Sequence, residues 1–366
     1  MSEPLRLLSI GAGAIGTYIG GSLALGGHQV VFVERPEVVD ELRSRGLRLD
    51  LSGTENHLPD PQVVGSIEQA LAGQSFDAAL FALKSFDTPT FLASLTVPTE
   101  ALPPFLCFSN GVDNEPAIAE ALGPDKVIAG TVTSAIGRRG TGAIVLEKLR
   151  GVGVALPEQG GRTDDRQRCE RLVDAMNSAA LNAKLFACAA DMKWSKMLTN
   201  LIANATSAIL DMPPGEVFAH PGLYRLEIGQ LRETLRVMAA QGIKVVDLPG
   251  TPVRLLAFAV KYLPLAVSRP LLGKAVGGGR GNKMPSFHID LHDGRGKSEV
   301  DFLNGAVVRA GRRANIPTPV NNLLTDKLLA LTRGEIPLDG YRAQPERLIR
   351  ELGQERARIE KGRRIL

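Results

Sequence analysis

Residues 5–16 read LRLLSIGAGAIG, a short apolar run closed by Gly11, Gly13 and Gly16 in G-x-G-x-x-G spacing. A helical pattern over 14–26 follows at once, so the glycines sit in a strand–turn–helix context. The first glycine permits a tight turn, the second lets the backbone approach a pyrophosphate, and the third allows close helix packing. Ala14 and Ile15 occupy the first helical turn, where unpaired N–H groups and the positive end of the helix dipole favour a phosphate. A second apolar run, QVVFVE (29–34), ends 23 residues after Gly11. An acidic residue there grips the ribose of NAD, whereas an arginine receives the 2′-phosphate of NADP. This chain has Glu34 followed by Arg35, so spacing alone leaves the two cofactors open.

The same rhythm continues through roughly the first 185 residues. Apolar segments at 77–83, 104–109 and 127–137 alternate with helical stretches, which predicts a largely parallel sheet covered on both faces. GAIVLE (142–147) and GVGVALP (151–157) leave no room for a helix and read as an antiparallel extension of that sheet. A helix near 165–180 and a strand at 181–186 close the domain. Helical periodicity dominates afterwards, at 191–210, 222–242, 253–267, 298–314 and 319–333, with Gly/Pro-rich punctuation between. The expected architecture is a doubly wound α/β domain (1–186), an α-helical domain (187–340) and a charged helical tail (341–366) facing solvent.

Composition narrows the function classes. The chain has 366 residues, 43 basic and 39 acidic. From Ala343 to Leu366 there are seven basic residues against four glutamates, so the remaining body is nearly neutral and no nucleic-acid partner is expected. Cys107, Cys169 and Cys188 are too few and scattered for a disulfide framework and read as reduced thiols in a cytoplasmic protein. The opening MSEPLRLLSIGAG reads as a strand, not a signal peptide. LLAFAVKYLPLAV (255–267) is cut by Lys261 and Pro264 and too short to span. It reads as a buried or cleft-covering helix pair in preference to an interfacial anchor, and no membrane partner is expected. His288 and His292, spaced i, i+4, read as cleft or surface residues, and no metal is expected.

The segment KWSKMLTNLIANATSAIL (193–210) carries the candidate chemistry. As a continuous helix it places Trp194, Met197, Leu198, Leu201, Ile202, Ala205, Ala208 and Ile209 in one arc. Lys196, Asn200 and Asn204, at i, i+4 and i+8, form a separate stripe. No charge occurs from Met197 through Leu210, which marks an enclosed helix. A desolvated lysine is a plausible general acid. Asparagine offers a donor and an acceptor without adding a charge.

GAGAIG (11–16), LKSFDT (83–88), SNGVDNE (109–115), WSKMLTNLIANATSAI (194–209), SFHID (286–290), SEVDFLNGAVVRAG (298–311) and NIPTPVN (315–321) occur in this order. Together they resemble the ketopantoate reductase family. The resemblance implies a Rossmann-type dinucleotide-binding domain followed by an all-α domain like the C-terminal domain of 6-phosphogluconate dehydrogenase. It implies NADPH-dependent reduction of a 2-oxo acid, 2-dehydropantoate to pantoate, in pantothenate and coenzyme A biosynthesis. Lys196 matches the proton donor, and Glu299 the glutamate that binds the substrate hydroxyl. Asn200, Asn204 and Ser286 match substrate-holding positions. Lys84 and Asn110 match the cofactor edge, Asn110 also facing substrate, and Arg35 matches the basic position that selects NADPH. A homodimer is compatible with the resemblance. Other outcomes left open are a related reductase of another branched 2-oxo acid or imine, and a dinucleotide-sensing protein without turnover. The stretches 248–283 and 290–299 run longer than the family's usual connections, which leaves the acyl side chain of the substrate open.

Overall fold

The computed structural model describes residues 3–156, 163–280, 283–294 and 296–363. The end of the glycine-rich 277–282 stretch, Pro157 of the 151–157 segment and the last three residues of the tail lie outside them. Two compact units result: Met1–Lys193 with Asp247–Thr251, and Trp194–Val246 with Pro252–Leu366.

In the first unit the strands are β1 (Arg6–Ile10), β2 (Gln29–Val33), β3 (Leu47–Leu51), β4 (Thr54–Leu58), β5 (Gln62–Val64), β6 (Ala78–Phe81), β7 (Phe105–Cys107), β8 (Val127–Val132), β9 (Ala135–Gly140), β10 (Ala143–Lys148), β11 (Val152–Ala155) and β12 (Ala183–Phe186). Its helices are α1 (Ala14–Leu25), α2 (Pro36–Arg45), α3 (Ile67–Leu71), α4 (Thr88–Ser94), α5 (Asn114–Leu122) and α6 (Thr163–Ser178). The main sheet has the order β12-β11-β8-β7-β6-β1-β2-β5. Its pairs are parallel except β11 with β8. Successive residues of β1 feed opposite layers, Leu7 joining one buried apolar cluster and Leu8 the other. Burial on both faces is why these strands read as unbroken apolar runs.

Two expectations need correction. The 127–137 segment is two strands, because VIAGTV is buried throughout while AIGRRG becomes exposed. Thr133 and Ser134 fix the exit: Thr133 donates from N and Oγ1 to the Gly151 carbonyl, and Ser134 Oγ accepts from the Arg150 and Gly151 amides. Only β11 then extends the main sheet antiparallel; β10 joins a second sheet of order β4-β3-β10-β9. The β3–β4 hairpin was not expected at all.

The second unit is helical. It contains α7 (Ala189–Leu201) from Trp194 onward, α8 (Asn204–Leu210), α9 (Pro214–Ala219), α10 (Pro221–Ala240), α11 (Val253–Tyr262), α12 (Leu265–Arg280), α13 (Ser286–His292), α14 (Ala306–Arg313), α15 (Pro319–Thr332) and α16 (Pro345–Arg363). The long helix α10 buries Glu227, Gln230 and Glu233 among apolar neighbours. The C-terminal helix is not wholly on solvent, since Leu348 and Leu352 are buried. The 253–267 region is a helix pair, but Leu255, Phe258, Tyr262 and Val267 are exposed. Apolar residues lie all around α11, and only the side with Val253, Ala259 and Val260 is covered.

Candidate active site

In the first unit, the strand order reverses at β1, which lies between β2 and β6. The loops after β1, β6 and β7 meet at the carboxyl ends of the strands, where open α/β sheets bind ligands. Gly11 leaves β1 at φ +90, a left-handed conformation suited to glycine, and donates to the Val33 carbonyl. A Cβ on Gly16 would stand 1.8 Å from the Gly11 carbonyl oxygen, so the helix can approach the turn this closely only without a side chain. A Cβ on Gly13 would meet nothing within 4 Å. Gly13 caps α1 without a side-chain hydrogen bond, which leaves N–H groups of the Ala14–Gly16 turn without an intrahelical acceptor. That open cradle fits a pyrophosphate.

Glu34 turns into this loop. Its Oε1 accepts from the Ala12 amide at 2.6 Å and its Oε2 from the Arg35 amide at 3.1 Å. Arg35 is exposed at the N-cap of α2. The carboxylate is therefore engaged with main chain, while the guanidinium stands at the surface.

Lys84 precedes a one-turn 3₁₀ segment, Ser85–Asp87, and Asn110 follows β7; both are half-buried. Small polar side chains tie their loops together. Ser85 Oγ donates to the Asn110 carbonyl at 2.6 Å, and Ser109 Oγ to the Leu83 carbonyl at 2.8 Å. Asn114 Nδ2 donates to the Asn110 carbonyl at 2.7 Å while its Oδ1 accepts from Thr88. Lys193, not singled out from the sequence, is buried with Nζ 2.6 Å from Glu115 Oε1 and donates to the Ser109 carbonyl. Burial pushes the Cys107 thiol up to about 12 and that of Cys169 to about 11, so neither is a thiolate nucleophile near neutral pH.

In the second unit, the expected continuous 191–210 helix is two helices. Ala203 adopts φ 53, α7 stops at Leu201 and α8 restarts at Asn204. Lys196 and Asn200 share a face of α7; Asn204 opens the next helix instead of completing an i+8 stripe. The break has a physical cause in α10. Glu227 Oε2 accepts from the Ala203 amide at 2.7 Å and Oε1 from Thr206 Oγ1 at 2.5 Å. Gln230 Nε2 donates to the final carbonyl of α7, that of Leu201, at 3.1 Å. These bonds satisfy groups that an interrupted helix would leave unpaired in the interior.

The break still brings three candidates together. Asn204 Nδ2 donates to the Asn200 carbonyl at 3.1 Å and to Ser286 Oγ at 3.3 Å. Its Oδ1 accepts from the Phe287 amide at 3.0 Å at the start of α13. Lys196 and Asn200 are half-buried, and the rest of Trp194–Leu210 is largely enclosed, as the lack of charge implied. Glu299 is buried on another element, ahead of a π-type turn, Asp301–Gly305, that leads into α14. His288 pairs with Asp211 at 2.7 Å and stacks on His292. No cluster of three or more His, Cys, Asp or Glu able to hold a metal occurs among the described residues.

Comparisons with known proteins agree with both units. A family model described as ketopantoate reductase PanE/ApbA matches residues 7–155, and one for the C-terminal part of the same family matches 189–332. A 2-dehydropantoate 2-reductase from Archaeoglobus fulgidus is 27% identical, over 90% of this chain and 97% of the relative. One from Pyrococcus horikoshii is 26% identical, over 87% and 95%. The crystal structure of a PanE/ApbA family ketopantoate reductase from Ralstonia eutropha superposes with a TM-score of 0.72 at 25% identity, covering 90% of this chain and 99% of its own. A D-mandelate dehydrogenase in ternary complex with NADH and anilino(oxo)acetate has a TM-score of 0.71 at 20% identity, with 90% and 99% covered. That last likeness is one of fold.

Proposed function

The chain belongs to the ketopantoate reductase family, and on that premise we propose that it reduces 2-dehydropantoate to pantoate with NADPH, within pantothenate and coenzyme A biosynthesis. The observation that carries the reading is the placement of Lys196, the one charged residue between Trp194 and Leu210, half-buried within an otherwise largely enclosed pair of helices. Bound NADPH supplies a hydride to the carbonyl carbon of the 2-oxo acid. Lys196 Nζ gives its proton to the carbonyl oxygen as that oxygen gains charge, and solvent reprotonates the amine. Asn200 and Asn204 hold the substrate's polar groups, Asn204 being fixed through Ser286 and the Phe287 amide. Glu299 accepts the hydrogen bond of the substrate hydroxyl.

On the nucleotide side, Gly11 to Gly16 cradle the pyrophosphate, and Lys84 and Asn110 line the cofactor edge. Arg35 receives the 2′-phosphate. The engagement of Glu34 with the Ala12 amide supports this assignment, because it turns the carboxylate's charge into the loop.

Replacing Lys196 by alanine tests the proposal. The expected result is a kcat lowered by ~10²–10⁴-fold, the usual contribution of one general acid, with the Kd for NADPH little changed. A kcat within about threefold of wild type would remove Lys196 from the chemistry.

A further inference from the structure

Residues 248–289 contain Arg254, Lys261, Arg269, Lys274, Arg280 and Lys283 and not one aspartate or glutamate. Within this stretch α11 turns a face to solvent that is both apolar and cationic. Leu255, Phe258 and Tyr262 are 65%, 53% and 62% exposed. At 100° per residue they share an arc of about 120° with Arg254 and Lys261. The Phe258 and Tyr262 rings lie 5.2 Å apart, and Lys261 Nζ sits 5.1 Å from the Tyr262 ring. On α12, Val267 and Leu271 are likewise exposed and fall on one helix face with Lys274. A groove of about 870 Å³ runs beside α11, and Arg225, Arg232, Arg236, Arg254, Lys261 and Arg356 border it. The one carboxylate lining it among the described residues, Glu233, accepts from the Val320 and Asn321 amides.

We propose that α11 and α12 dock on an anionic phospholipid surface. Leu255, Phe258 and Tyr262 enter the boundary between headgroups and acyl chains, and the cations meet lipid phosphates. Exposed large apolar side chains beside lysine and arginine are the make-up of a helix that lies in a membrane interface. No helix among the described residues is long and apolar enough to cross a membrane, so the contact is peripheral. A second copy is a poor occupant: a two-fold contact through this face would set the lysines and arginines of one copy against those of the other. The proposal replaces the expectation of no membrane partner and stands independently of the reductase reading.

Co-sedimentation with vesicles tests it. The full-length chain should bind phosphatidylcholine vesicles containing 30% phosphatidylglycerol at low salt, and pure phosphatidylcholine at least ~10-fold more weakly. The Lys261→Gln/Lys274→Gln variant should lose roughly 25-fold in partitioning, about fivefold per charge. Phe258→Ser/Tyr262→Ser should lose at least ~10-fold at unchanged thermal stability, the change in exposed side chains leaving the fold intact. Equal binding to both vesicles, absence of binding to either, or a concentration-dependent dimer that the Phe258→Ser/Tyr262→Ser change abolishes in place of vesicle binding would each overturn the proposal.

Discussion

At the turn after β1 a helix begins because glycines let it: Gly11 takes a left-handed φ, and Gly16 has no Cβ to strike the Gly11 carbonyl. At the break between α7 and α8 a helix begins because side chains from elsewhere hold it, Glu227 on the Ala203 amide and Thr206 hydroxyl and Gln230 on the Leu201 carbonyl. The first arrangement is steric and local, written in six consecutive residues. The second is electrostatic and non-local, made by residues 24 and 29 positions away. Local steric designs fail when atoms are added; buried polar ones fail when atoms are removed.

The two can be broken selectively. Gly16→Ala places a Cβ against backbone that cannot yield cheaply. NADPH binding, followed by fluorescence titration, should weaken by up to roughly 100-fold, on the cost of overpacking a tight contact, while the melting of the helical unit stays put. Glu227→Ala should do the reverse. It strands the Ala203 N–H and the Thr206 hydroxyl in the interior, takes one of two acceptors from Gln230 Nε2, and should lower stability by about 2–3 kcal/mol, a Tm loss of roughly 5–10 °C by calorimetry. A Glu227→Ala protein melting within 1–2 °C of wild type would mean that the break is not held from α10. The smallest effect falls at the surface. Arg35→Ala removes a charge-assisted pair worth about 1.5–3 kcal/mol. It should erode the preference for NADPH over NADH in kcat/KM by roughly 10- to 150-fold. A wild type that prefers NADH would instead give the ribose to Glu34.

This contrast also explains what was legible in the sequence. The glycine turn, the apolar strands of the main sheet and the order of the helices could be read directly, because each rests on local pattern. The β3–β4 hairpin was equally legible and was missed: LRLDL and TENHL flank Ser52-Gly53, both at positive φ, and Leu47 and Leu49 alternate with exposed Arg48. The turn at Ala203 carries no glycine or proline to announce it, so periodicity ran straight through. Likewise nothing near Lys193 foretells its pairing with Glu115. The exposure of α11 was hidden because a helix apolar on both faces gives no sign of which face is covered.

The reaction proposed for this chain is the reduction of a hydroxylated 2-oxo acid. Its most direct measurement is kcat/KM for NADPH oxidation with 2-dehydropantoate and with 2-oxoisovalerate, in wild type and Glu299→Ala. Wild type should favour 2-dehydropantoate by at least about 10-fold and the variant should lose most of this preference, since a hydrogen bond to a charged group contributes about 1.5–3 kcal/mol. Equal use of the two substrates by wild type, or NADPH oxidation with neither, would contradict it.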